Sequence, residues 1–231
     1  MVAFDRATLT DTYGKFTAEP FERGFGVTVG NSLRRVLLSS LEGAAVSAIT
    51  VEGVPHEFTS IEGVLEDVAD IVLNVKGLLI RMQTDEPRTV SIDVNRKGAI
   101  TGADIQTDPT VEIVNPGHHL FTLAKARPFR CTLEVRKGRG YVMAEENHPQ
   151  QKEIGLIPVD SIFSPVRRVR YRTEATRVGQ RTNYDCLVME VWTSGVVTPE
   201  MAVVEAAKIL RKHLNPFVQY FELGPELQQE H

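Results

Sequence analysis

The chain has 231 residues, of which 42% are hydrophobic and 24% charged, and its formal net charge is −4. This composition is typical of a globular protein, and the length fits one large domain or two small ones. A weakly acidic chain is a poor candidate for a protein devoted to coating nucleic acid, so any basic contact must be local.

Three helices are predicted, and each has a recognisable start. Thr28 or Asn31 can cap the first, which follows a glycine-rich turn. A capping box at residues 59–62 opens the second helix, and Thr198 followed by Pro199 opens the third. The first helix is expected to end near residue 42, the second near residue 77 and the third near residue 223.

Strands are predicted between the helices, because five segments alternate in polarity or are rich in β-branched residues. They lie at residues 45–51, 89–94, 132–136, 166–172 and 187–193.

The order of these elements predicts an α+β fold in two domains. Residues 51–164 contain mainly strands and turns together with the second helix, and the other two helices lie outside them. We therefore predict a discontinuous domain, residues 1–50 and 165–231, with two main helices and a sheet. The inserted domain, residues 51–164, is expected to be mainly β and to carry one helix.

The first helix has two different sides on a helical wheel. Leu38 falls on the outer side, which it shares with Arg34 and Arg35. A leucine beside arginines is a candidate protein contact, since arginine is enriched at interface hot spots. The plainer alternative, which the residues alone favour, is an ordinary exposed leucine with solvated arginines. The side predicted to face the core contains Leu33, Val36, Leu37, Ser40 and Leu41.

The third helix carries a narrow apolar stripe of about six turns. Part of this stripe must face the core, but so long a helix can extend beyond its own domain. A partner chain would then cover the rest, and a symmetric dimer is the simplest geometry. The stripe consists of Val203, Ala206, Ala207, Leu210, Leu214, Phe217, Val218 and Phe221.

The glycine-rich turn and a histidine pair could each indicate a ligand. The turn at residues 24–30 has neither the dinucleotide spacing nor the Lys-Ser or Lys-Thr of a Walker loop, so a bend into the helix is favoured over a phosphate site. His118 and His119 would point to opposite faces of a strand, and no third ligand stands at a useful spacing. Cys131 and Cys186 form no C-x-x-C pair. We expect no metal site.

Arg168, Arg170 and Arg172 would share one face of a strand, where they could bind phosphates. Aromatic residues are sparse around them, so a solvated face or a protein contact is favoured over nucleic acid. No basic N-terminal patch precedes an apolar run, and no apolar stretch approaches the about 20 residues that span a bilayer. We expect a cytoplasmic protein with no membrane contact.

Several blocks of sequence resemble one protein family. Residues 19–40, EPFERGFGVTVGNSLRRVLLSS, strongly resemble the signature of the bacterial DNA-directed RNA polymerase alpha subunit family. The resemblance extends from about residue 8 to residue 223, nearly the whole chain. Further matching blocks are residues 56–58 (HEF), 63–68 (GVLEDV), 73–78 (LNVKGL), 138–141 (GRGY) and 174–182 (EATRVGQRT).

This resemblance implies the N-terminal assembly and dimerisation part of the alpha subunit. In the family, this region forms a homodimer on which the beta and beta-prime subunits assemble, and omega and sigma join the full complex. The discontinuous domain would then be the dimerisation domain. No catalytic residue and no cofactor are expected in this chain, since the magnesium and zinc of the complex are expected on the large subunits.

The resemblance also assigns residues to three contacts. The beta subunit would contact Arg35, Leu38 and Arg34. The beta-prime subunit would contact Lys76, Gly77, Arg177, Gln180 and Arg181. The dimer interface would contain Leu33, Val36, Leu37, Leu41, Val203, Leu210, Leu214, Phe217 and Phe221.

One departure from the family concerns the C-terminus. Family members normally continue through a linker into a helical domain that binds upstream DNA, whereas this chain stops at His231. The expectation is that the C-terminal domain is absent and that the chain binds DNA little or not at all.

Overall fold

The structure, a computed structural model, describes residues 2–147 and 155–220. Over these residues the fold is α+β and mostly strands, in agreement with the sequence. The helices are α1 (Phe25–Ser39), α2 (Val68–Lys76), the short α3 (Ala144–Asn147) and α4 (Pro199–Val218), with one 3-10 turn at Gly102–Asp104. The strands are β1 (Val2–Phe4), β2 (Tyr13–Glu22), β3 (Glu42–Val51), β4 (Ile80–Met82), β5 (Arg88–Val94), β6 (Gly98–Thr101), β7 (Val111–Ile113), β8 (His119–Leu123), β9 (Phe129–Arg139), β10 (Tyr141–Val142), β11 (Leu156–Pro158), β12 (Ser161–Ile162), β13 (Val166–Val178) and β14 (Arg181–Thr193).

The chain divides into two compact units, which are residues 1–41 with 166–231 and residues 42–165. The sequence placed the first boundary after residue 50, but the break lies before β3. The reason is that β3 pairs with β4, β9 and β11, all of which belong to the second unit.

The first unit contains an antiparallel sheet in the order β1-β2-β14-β13, with α1 and α4. Alternate residues of the strands point to the same face, and one face carries a hydrophobic core together with the helices. This core contains Phe16, Leu37, Leu41, Val166, Val169, Met189, Val191, Ala202 and Ala206.

The second unit contains a larger sheet in the order β5-β9-β3-β4-β7, with β11 on β3. The described residues of this unit also form two small sheets, β6 with β8 and β10 with β12. The sequence predicted one helix here, and the structure adds the four-residue α3 and the 3-10 turn. Its largest fully buried side chains are Phe121, Ile49, Ile71, Ile80, Ile92, Ile100, Leu120, Leu123 and Leu133.

Helix α2 begins later than the sequence predicted. The capping box at residues 59–62 does not open it, because Gly63 adopts a φ of 79° and Leu65 N–H donates to the carbonyl of Thr122 at 3.0 Å. The cap is Asp67, whose carboxylate accepts the backbone N–H of Asp70 at 2.9 Å. The predicted end at Lys76-Gly77 is confirmed.

Helix α4 begins as predicted. Thr198 Oγ1 accepts the backbone N–H of Met201 at 3.3 Å, and Pro199 stands in the first turn. The helix is described to Val218, and its expected extension to residue 223, with Phe221, lies outside the described residues. Within the described part of the chain, no helix has both the length and the apolar character to cross a membrane.

Candidate protein-interaction surfaces

The start of α1 depends on backbone geometry. Gly24 is the N-cap residue with a φ of 89°, a conformation that glycine adopts without strain. Among the residues that the structure describes, no side chain caps the helix, so the predicted cap at Thr28 or Asn31 is wrong. Instead, Gly24 N–H donates to Asp185 Oδ2 at 2.8 Å, which places a carboxylate at the positive end of the helix dipole.

The glycines inside α1 allow close packing on the sheet. A Cβ at Gly26 would lie 2.9 Å from Thr173 Cγ2, and one at Gly30 would lie 2.7 Å from a ring carbon of Tyr171. Glycine is therefore needed at these positions for helix–sheet contact. Because a carboxylate already stands at the helix start, a phosphate there would be repelled, which disfavours the phosphate-loop interpretation.

The core-facing side of α1 agrees with the helical wheel. Leu37 and Leu41 are buried, and Leu33 and Val36 are partly buried against the same core. Leu38 differs from its predicted position on the outer face, since it is half-buried and also packs against this core. Side chains on a helix lean toward its N-terminus and cover a broad arc, so a wheel of Cα positions understates this contact.

On the outer side of α1, Arg34 and Arg35 are exposed. Neither guanidinium forms an ion pair or hydrogen bond with another residue in the described ranges 2–147 and 155–220. Each therefore keeps its planar set of donors available for a carboxylate of another molecule.

Helix α4 changes character along its length. Ala202 and Ala206 in its first half are fully buried, and their small side chains let the helix lie close to α1 and the sheet. Every residue from 211 to 220 is exposed. This half still carries large apolar side chains, since 51% of Leu214, 80% of Phe217 and 74% of Val218 is accessible to solvent.

Lys76 and Gly77 end α2 and are engaged within the second unit. Lys76 Nζ donates to Asp160 Oδ2 at 2.8 Å, and Asp160 Oδ1 accepts the N–H of Ala144 at 2.9 Å. The hydrogen bond from Lys76, followed by that from Ala144, holds the pKa of Asp160 below its ordinary value. A Cβ at Gly77 would lie 2.6 Å from His118 Nε2, so a larger residue at this position would collide with the histidine ring.

Arg177, Gln180 and Arg181 lie at the turn between β13 and β14 in the first unit, and all three are exposed. Gly179 forms the turn with a φ of 62°, and Arg177 Nε donates to its carbonyl. The five residues carried over for beta-prime contact are thus divided between the two units.

The described residues contain no group of three or more His, Cys, Asp or Glu side chains arranged to hold a metal. His118 Nε2 lies 2.8 Å from the carbonyl oxygen of Asn74, whereas His119 Nε2 lies 2.9 Å from Glu66 Oε1. The two histidines therefore have separate structural partners. Burial raises the pKa of the Cys131 thiol to about 12, which keeps it protonated at neutral pH.

An α+β framework that leaves apolar helix surface and arginines exposed is typical of proteins that bind other proteins. A family model described as the RNA polymerase Rpb3/RpoA insert domain matches residues 48–164. The chain is 60% identical over 223 residues to the DNA-directed RNA polymerase subunit alpha of Rhodopirellula baltica, covering 96% of this chain and 67% of that protein.

Two further relatives carry the same description. The protein of Symbiobacterium thermophilum is 52% identical over 218 residues, covering 94% of this chain and 69% of the relative. That of Lawsonia intracellularis is 53% identical over 213 residues, covering 92% and 61%. The chain belongs to the DNA-directed RNA polymerase alpha subunit family, which confirms the resemblance found in the sequence, and it spans about two thirds of the length of these relatives.

Proposed function

We propose that this chain is the non-catalytic assembly part of a bacterial RNA polymerase alpha subunit. It homodimerises, and the dimer is the platform on which the beta and beta-prime subunits assemble for transcription in the cytoplasm. Omega and sigma join the complete complex, whose magnesium and zinc belong to the large subunits. The observation that carries the proposal is the exposed apolar second half of α4.

The dimer interface is assigned to the exposed apolar residues of α4. Burying a large apolar side chain contributes about 1.5–3 kcal/mol, so Leu214 and Phe217 would favour association strongly. Leu210, Val203, Leu33 and Val36 are half-buried and can border the interface. We assign Leu37 and Leu41 to the protomer's own core behind the interface, because buried side chains have little surface for a partner.

The beta contact is assigned to Arg34 and Arg35, with the half-buried Leu38 between them and the core. The expected partner surface carries carboxylates, since a guanidinium binds a carboxylate through two hydrogen bonds.

The beta-prime contact is assigned mainly to Arg177, Gln180 and Arg181, which are exposed. Lys76 and Gly77 take part less directly. The ammonium of Lys76 is paired with Asp160, and Gly77 packs against His118.

Light scattering of the purified chain, followed by co-expression with beta and beta-prime, tests the proposal. We expect twice the chain mass and capture of both large subunits. Phe217→Glu should give the monomer mass and lose capture, whereas the control Lys212→Glu, on the polar side of the same exposed helix segment, should do neither. A wild-type chain that stays monomeric at micromolar concentration, or captures neither subunit, would contradict the assignment.

A further inference from the structure

The outer face of the first unit's sheet carries a row of arginines. Arg168, Arg170 and Arg172 alternate along β13 and are exposed, while Val169 and Tyr171 between them point to the core with α1. β13 is also the last strand of its sheet, and no strand in the described part of the chain pairs with its outer edge. We call Arg168, Arg170 and Arg172 the arginine row.

Charged residues on an edge strand can simply prevent aggregation. The hydrogen bonds around the arginine row indicate a second role besides preventing aggregation. Glu190 lies directly across from Arg170 in the strand register, yet its Oε1 accepts the hydroxyl of Tyr13 at 2.8 Å. Arg170 forms no ion pair or hydrogen bond within residues 2–147 and 155–220, although its cross-strand neighbour is an acid.

Arg170 lines a cavity of about 130 Å³. Arg172, which donates from Nε to Glu174 Oε1 at 2.7 Å, lines the same cavity. A carboxylate entering the cavity would reach Arg170 without displacing an existing partner. The lining residues are Arg170, Tyr171, Arg172, Val188 and Glu190.

We propose that the arginine row binds an extended acidic segment of a partner protein, which adds to the free edge of β13. Alternate residues of a strand are about 6.6–6.8 Å apart, so glutamates at alternate positions of an added strand match the spacing of the row. The backbone groups on the outer edge of β13 beside the arginine row, at residues 168–172, would supply the main-chain hydrogen bonds, and the arginines would select acidic side chains.

The same face fits a nucleic acid poorly. The guanidinium of Arg168 lies 4.8 Å from the ring centroid of Trp192 and covers the ring on which a base could stack. Glu174 and Glu190 stand on the arginine face, and a nucleic acid, with a phosphate at every nucleotide, would bring negative charge against both of them. A carboxylate near Arg170 meets a Glu190 that already accepts the Tyr13 hydroxyl, and near Arg172 a Glu174 that already accepts from Arg172 Nε. An extended peptide can place its carboxylates at the arginines alone.

Trp192 is the single tryptophan of the chain, and its emission reports directly on this face. The probe is a peptide of alternating Glu and Thr long enough to cover β13, titrated into the full chain. We expect a saturable change in emission, and binding about tenfold weaker for Arg170→Gln, as for the loss of one charge-assisted contact. The control Arg130→Gln, a strand arginine of the second unit, should bind as the wild type does.

Three further ligands complete the test. A peptide of alternating Gln and Thr should bind at least about tenfold more weakly. A peptide methylated on alternate backbone nitrogens should also bind more weakly, because it cannot pair with the strand edge. The proposal is overturned if the acidic peptide gives no saturable change, if Arg170→Gln binds it equally well, if either modified peptide binds equally well, or if oligodeoxythymidine binds more tightly. This inference does not depend on dimerisation or on beta capture.

Discussion

Arg35 shows how neighbouring residues of one helix can have separate roles. Its guanidinium is exposed and unpaired among the described residues, whereas Leu37 is fully buried. The apolar surface that α4 offers for dimerisation does not include Arg35. A change at Arg35 should therefore affect the beta contact without affecting the dimer.

Arg35→Ala is expected to weaken capture of beta about tenfold, the size of one lost charge-assisted contact, and to leave the dimer mass unchanged. Quantitative co-purification with beta, combined with light scattering, measures both effects. Arg6→Ala, at another exposed arginine of the first unit, is the control and should change neither. Loss of the dimer, or undiminished beta capture, would contradict the assignment of Arg35 to the beta contact.

Asp160 gives a pH-dependent prediction. Its carboxylate accepts from Lys76 and from the N–H of Ala144, which lowers its pKa below the ordinary 3.8. A carboxyl whose pKa is lowered on folding stabilises the fold above its unfolded pKa, and this contribution disappears as the pH falls through the folded value. Asp160→Asn should therefore reduce the free energy of unfolding at pH 7 by about 0.5–1 kcal/mol, at the low end because the pair is partly open to water.

Urea unfolding at pH 7 and at decreasing pH measures this effect, and the difference from wild type should shrink in acid. Asp93→Asn is the matched control, since Asp93 pairs with Arg130 at 3.1 Å but both side chains are more than half exposed. A difference that grows in acid, or one equal for both variants, would contradict the role of Asp160.

The pairing of Lys76 with Asp160 could not be predicted from the sequence, because the two residues lie 84 positions apart and no local pattern joins them.

Among the elements, α1 can lie close to the sheet because Gly26 and Gly30 have no side chain on the side that faces the strands. Gly30→Ala would place a Cβ 2.7 Å from the Tyr171 ring and 2.8 Å from Leu187 Cδ1. Overpacking of this kind costs about 1–3 kcal/mol, which we expect as a lower free energy of unfolding in urea. Gly117→Ala is the control, because its added Cβ meets no atom of the described residues within 4 Å. An unchanged unfolding midpoint for Gly30→Ala would show that α1 can shift away from the strands.

The elements also differ in how far the sequence could predict them. The start of α4 was correct because Thr198 and Pro199 act within one turn. The start of α2 was wrong because Gly63 and the hydrogen bond from Leu65 to Thr122 decide it, and that bond joins distant parts of the chain. Local signals predict an element well where its ends depend on local contacts, and tertiary pairing overrides them elsewhere.

At the scale of the molecule, β3 decides where the second unit begins. The sequence correctly predicted a strand at residues 45–51, but alternation of side chains does not say which strands will pair with it. In the structure β3 lies between β9 and β4, with β11 also paired to it, and Val46 and Ile49 are buried in the core of this unit. The same uncertainty of pairing explains why no local pattern identified β13 as an edge strand.

Fragments of the chain test this boundary. Residues 42–165 should fold and unfold cooperatively in urea, because they retain every strand of the larger sheet. Residues 51–164 lack nearly all of β3, so they lose the buried Val46 and Ile49 and the pairing partner of β4, β9 and β11. Each lost apolar side chain costs about 1.5–3 kcal/mol, against a typical domain stability of about 5–15 kcal/mol.

The shorter fragment should therefore show no cooperative transition by circular dichroism. Residues 48–164, the span matched by the family model, keep Ile49 and the pairing with β11, so this fragment should unfold at a lower urea concentration than residues 42–165. Equal unfolding midpoints for all three fragments would mean that β3 does not stabilise the second unit. The boundary would then lie after residue 50, as the sequence predicted.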